Sequence, residues 1–148
     1  MSEVSLSGKH LSRIRPTIDT PFQINRRWWE HAGRNFRVEL WRHLCPEHRA
    51  AFANHLDIDT IDWVDPETAE VTRMDGLEHL IREHCSHQEG YLHPELPLVD
   101  AIFRAFLANG NAPLSPRQLA VLIGRPAETI LRTLAGREVY KGLQPVVE

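Results

Sequence analysis

The stretch from Ser115 to Gly136, SPRQLAVLIGRPAETILRTLAG, constrains the fold more than any other part of the chain. Ser115 can cap a helix that has Pro116 at its first position and Gln118 at its third, a version of the capping box. That helix ends at Gly124, a residue suited to a helix stop. Pro126 can open a second helix, which runs to about Leu134 and stops at Gly136. Two short helices meeting at a tight corner follow from this punctuation alone.

The segment before the corner, LVDAIFRAFLAN, places Val99, Ile102, Phe103, Phe106 and Leu107 on one helical face. Asn109, Gly110 and Asn111 stop it. After the corner, REVYKGLQPVV has β-prone runs around Lys141-Gly142, which fits a small hairpin.

Residues 98–146 resemble a winged helix-turn-helix module, and the match rests on QLAVLIGRPAETILRTL. In that resemblance Leu119 and Ile123 form the core side of the first corner helix, and Ile130 and Leu134 that of the second. Ala120 is small where the helices cross, and Gly124 takes the sharp turn with φ > 0. The helix at 98–108 matches the family's first helix and REVYKGLQPV its wing. The family lays its second corner helix in the major groove and its wing on the backbone. The resemblance therefore implies double-stranded DNA as partner. Arg132 would meet a guanine or a phosphate, and Thr129 a phosphate or a thymine methyl. Arg125, Arg137 and Lys141, with Arg117 beside them, would hold the backbone. The chain departs from the pattern in places. Pro126, Ala127 and Leu131 donate no hydrogen bond, Glu128 repels phosphate, and Arg125 stands where an apolar residue is usual. A helical corner that docks a protein partner through Leu131, or a second copy of the chain, is the alternative.

Upstream, Trp29, Phe36, Leu40 and Leu44 recur every three or four residues. This predicts one amphipathic helix over 27–44 with Asn25 as its cap. Pro46 breaks it and can open a helix through EHRAAFANHL. The runs TIDWV and AEVTR flank a DPET turn and predict a hairpin. Asp75 then caps GLEHLIREHC, with Leu77, Leu80, Ile81 and Cys85 inward. Residues 1–25, with Pro16 and Pro21 and no apolar period, read as an extended arm. The segment SHQEGYLHPELP reads as a linker. The expected fold class is mainly α with small β-hairpins. Its organisation is an arm (1–25), a helical unit with a hairpin (26–90) and a C-terminal winged helix-turn-helix (97–148).

Charge separates these regions. Residues 1–49 carry net +4, residues 50–100 net −10, and residues 101–148 net +3. An acidic middle between basic ends argues against a general nucleic-acid coat and for distinct surfaces with distinct partners. No run of about 18 apolar residues occurs, so no membrane partner is expected. The first residues lack an apolar signal core, which makes a cytoplasmic protein the expectation. Cys45 and Cys85 then read as reduced thiols or metal ligands.

Nine histidines cluster partly around those cysteines. HLCPEH supplies Cys45 and His48, a Cys-x-x-His spacing that can clasp one ion from a turn made by Pro46. EHCSHQ supplies Cys85 with His84 or His87. Cys45, His48, Cys85 and one of His84 or His87 would form a tetrahedral Cys2His2 site for structural zinc. Adjacent His84 and Cys85 point about 100° apart on an ideal helix, which opposes their sharing an ion. The other reading makes both cysteines small core residues. No HExxH, GxSxG or Gly-rich phosphate loop occurs, so an enzyme is not expected. The leading expectation is a small DNA-binding transcriptional regulator.

Overall fold

The central element is the helix at Leu98–Ala108, whose Ile102, Phe103 and Phe106 are fully buried. The computed structural model describes residues 15–51, 60–64 and 66–146. In chain order the elements are β1 (Phe22–Ile24), α1 (Arg26–His31), α2 (Phe36–Arg42), α3 (Pro46–Ala51), β2 (Thr60–Val64) and β3 (Val71–Asp75). There follow α4 (Gly76–Glu83), α5 (Leu98–Ala108), α6 (Pro116–Ile123), α7 (Ala127–Leu134) and β4 (Leu143–Pro145), with a 3-10 turn at Cys85–His87 after α4. The fold is mainly helical with two two-stranded antiparallel sheets. Helix α5 packs against both α4 and α6, so one apolar core runs from Trp29 and Leu40 to Ile130 and Leu134.

Local signals place the C-terminal helices. Ser115 Oγ accepts from the Gln118 backbone N–H, and the Gln118 side chain accepts from the Ser115 N–H, so the capping box is complete. Gly124 closes α6 at φ 71°, in the left-handed region. Leu119, Ile123, Ile130 and Leu134 face the core. Asp75 caps α4 through the Leu77 N–H, and β2 pairs with β3, Thr60 opposite Asp75 and Val64 opposite Val71. The second strand therefore starts two residues later than AEVTR suggests. The turn residue Asp65 and residues 52–56 of the expected EHRAAFANHL helix lie outside the described residues.

Two sequence expectations are corrected. The single helix over 27–44 is two, α1 and α2, because Gly33 takes φ 67° and Asn35 starts a new helix by accepting from the Val38 N–H. The wing is not a local hairpin. Tyr140–Leu143 forms a tight turn with Lys141 and Gly142 both at positive φ, but β4 pairs with β1 instead, Phe22 opposite Pro145 and Ile24 opposite Leu143. The other edge of β1 is closed by Leu114, bridged to Phe22, and by Asn111, whose side chain bonds both the N–H and the carbonyl of Ile24. The end of the expected arm is thus the middle strand of the C-terminal assembly, with Phe22 and Ile24 buried. The segment read as a linker also packs inward: Tyr91 and Leu96 are buried, and the Tyr91 hydroxyl donates to the Arg104 carbonyl.

Gly142 is the tightest point of this closure. A Cβ there would lie 2.9 Å from the Asn25 carbonyl oxygen and from Trp29 Nε1. A Cβ on Gly124 would meet nothing within 4 Å. Gly124→Ala should therefore cost about 1 kcal/mol, backbone strain alone, and Gly142→Ala about 3 kcal/mol, strain plus overpacking. Urea unfolding of the two variants checks this; equal costs would mean that the β1–β4 closure yields freely.

Candidate metal centre

Cys45 lies between α2 and α3, His48 in the first turn of α3, and Cys85 opens the 3-10 turn after α4. The packing of α2 on α4 brings the three together. His48 Nδ1 is 3.0 Å from Cys45 Sγ and 3.5 Å from Cys85 Sγ. All three donor atoms lie within 4.8 Å of one another. Ligand atoms around a tetrahedral zinc sit roughly 3.5–3.8 Å apart, given Zn–S and Zn–N bonds of about 2.3 and 2.0 Å, so the group is near ligating geometry. The Cys45 N–H points at Cys85 Sγ, 3.2 Å away. Such a donor favours a thiolate.

Three of the four expected ligands meet here. His84 and His87 are exposed, and neither joins the group. The His84 ring stands 5.5 Å from the His48 ring while the neighbouring Cys85 is buried, which is the divergence expected of adjacent residues. Burial pushes the Cys85 thiol up to about 11, against the pull of the Cys45 N–H. The metal-free thiol is therefore protonated at neutral pH, and metal binding must release its proton.

A second convergence, Glu39, His43 and Asp100, also has donor atoms within 4.8 Å. Its cation is built in. The Lys141 ammonium pairs with both Glu39 and Asp100, the latter at 2.9 Å. Glu39 also accepts from His43 Nε2 at 2.8 Å and from Arg42 at 3.1 Å. Arg104 Nε donates to His43 Nδ1 at 3.0 Å. That fixes the neutral tautomer with its proton on Nε2. Burial lowers the His43 pKa despite the pull of Glu39. The sequence reading missed this network; its local signs were the pairs Glu39–Arg42 and Glu39–His43, three and four residues apart.

The residues expected to hold DNA divide into two sets. Lys141 is enclosed in the network just described. Arg125 donates to the carbonyls of Pro94 and Leu96, at 3.0 and 2.6 Å. Arg117 makes a bidentate, well exposed pair with Asp19. The side chains of Arg132 and Arg137 are exposed, bond to no other described residue, and line one groove of about 400 Å³ with Glu138, Tyr140 and the first turn of α5. Thr129 is half-buried on the same helix as Arg132. On α6, Val121 is 83% and Leu122 51% exposed, which the sequence reading did not anticipate.

Among the described residues, no helix is long and apolar enough to cross a membrane. No family model, curated protein or solved structure matches the chain.

Proposed function

We propose that the chain is a DNA-binding protein whose helix-turn-helix corner is carried on a zinc-stapled helical base. Zinc on Cys45, His48 and Cys85 ties α3 to the turn after α4, and α4 packs on α5, the first helix of the corner. The observation that supports DNA most is the shared groove of Arg132 and Arg137, two cations without an internal partner among the described residues. The DNA contact set narrows accordingly to Thr129, Arg132, Arg137 and Arg117, whose exposed pair with Asp19 is screened by water and open to exchange for phosphate. Arg125 and Lys141 serve the fold. With so few cations, binding is expected to be weak and salt-sensitive, with Kd on the order of 10⁻⁴ to 10⁻⁶ M on mixed sequence.

Fluorescence anisotropy of a labelled duplex at about 50 and about 200 mM salt tests this. Arg132→Ala/Arg137→Ala should abolish binding and flatten the salt dependence, whereas Arg125→Ala should leave the salt slope unchanged. A wild-type protein that ignores the duplex at low salt would overturn the DNA reading. The exposed Val121 and Leu122 favour a second reading, a corner that docks a protein partner. That reading predicts association lost in Val121→Glu/Leu122→Glu and unaffected by the arginine changes.

A further inference from the structure

A groove of about 730 Å³ opens beside the thiol pair, with Cys45 and Cys85 in its wall and His48, His84 and His87 outside it. That volume is in the range of small-molecule sites. Three protein donors leave one position of a tetrahedral ion open, as in zinc sites that take water or an exogenous ligand. The side of the cluster that the groove reaches is the thiol side.

Arg104 lines the same groove. Its Nε is held by His43 and its Nη1 donates to the Tyr91 carbonyl at 2.9 Å. The Tyr91 ring lies 5.4 Å from the guanidinium carbon. Among the described residues Nη2 has no partner, and no carboxylate is within ion-pair distance; Asp100 is taken by Lys141. A half-buried guanidinium, locked in place and with Asp100 only beyond ion-pair distance, can take an anion on its open Nη2. Burial works against the Arg104 charge, and Asp100 acts on it from beyond ion-pair distance more strongly than Cys85 does. Arg49, stacked over Trp41, adds a second cation to the wall, and Glu89 adds one carboxylate. Trp41, Leu44 and Tyr91 supply apolar surface.

We propose that this groove binds a small organic carboxylate with an apolar body, one oxygen filling the fourth position of the ion on Cys45, His48 and Cys85 while Arg104 takes its charge. The inference rests on the zinc reading and deepens it: the ion becomes a ligand sensor as well as a staple.

The test uses the full chain loaded with cobalt(II), whose visible absorption reports its coordination, with benzoate and inorganic phosphate as probes. Benzoate should move the cobalt band saturably, and phosphate should act at least about tenfold more weakly because it cannot use the apolar wall. Arg104→Gln should keep the cobalt band and weaken benzoate by about tenfold or more, and His84→Ala should change neither. If Arg104→Gln loses the band, Arg49→Gln, an exposed position, should keep it and weaken benzoate about threefold. A band that benzoate never moves would overturn the inference, and its collapse in His84→Ala would show a closed zinc site. Phosphate binding as tightly as benzoate would overturn the assignment to an organic carboxylate. No cobalt band in the wild type would overturn the zinc reading itself.

Discussion

Zinc at a free concentration about 1,000 times its dissociation constant should raise the melting temperature of this 148-residue chain by about 8–16 °C. Mass action at that ratio is worth about 4 kcal/mol, and a chain of this size shifts by about 2–4 °C per kcal/mol. The gain is large because the ion joins positions 40 residues apart, and the unfolded chain offers at most the local Cys45–His48 pair without Cys85. Cys85→Ser should abolish the shift, since a serine hydroxyl is a poor donor to zinc. The shift should also shrink as pH falls, because protons compete with the metal for the buried Cys85 thiol. Thermal unfolding with and without zinc, in both proteins, reads this directly; equal shifts in wild type and Cys85→Ser would place the ion elsewhere.

Acid should destabilise the protein mainly through Glu39. Its burial alone would raise the carboxyl, but hydrogen bonds from His43 and Lys141 win and hold it at about 2, below its ordinary 4.5. A folded-state value below the unfolded one gives stability that is fully present above about pH 4.5 and is lost as pH falls toward 2. The difference amounts to about 3 kcal/mol. His43 acts in the same direction. Burial keeps it neutral in the fold, so stability also declines as pH falls below its ordinary 6.5. Lys141→Met should cost about 3 kcal/mol at pH 7 by leaving buried Glu39 short of its cation. It should also flatten the acid dependence between pH 4.5 and 3. Urea unfolding of both proteins across that range decides the matter; parallel pH curves would show that Lys141 does not set the Glu39 carboxyl.

What the sequence made legible was written in short range. The Ser115–Gln118 box, the Gly124 stop and the Asp75 cap each involve residues within a few positions, and all three form. The break at Gly33 was hidden for a physical reason. Trp29 and Phe36 keep a helical spacing across it and still pack together, 5.3 Å apart. The turn at Lys141-Gly142 was readable, but its strand partner was not, since β1 lies more than a hundred residues away and competes with any local hairpin. The same limit applies to the site. Cys45-x-x-His48 and Cys85 carried a metal signal, while the inward course of Arg104 and Lys141 depends on packing between distant helices. Charged side chains count as surface until a fold shows them enclosed.

The most direct measurement is the metal content of the folded chain by native mass spectrometry after zinc addition and buffer exchange. The account predicts one ion per chain in the wild type and none in Cys45→Ser or Cys85→Ser. A wild type that holds no zinc, or cysteine variants that hold as much, would contradict it.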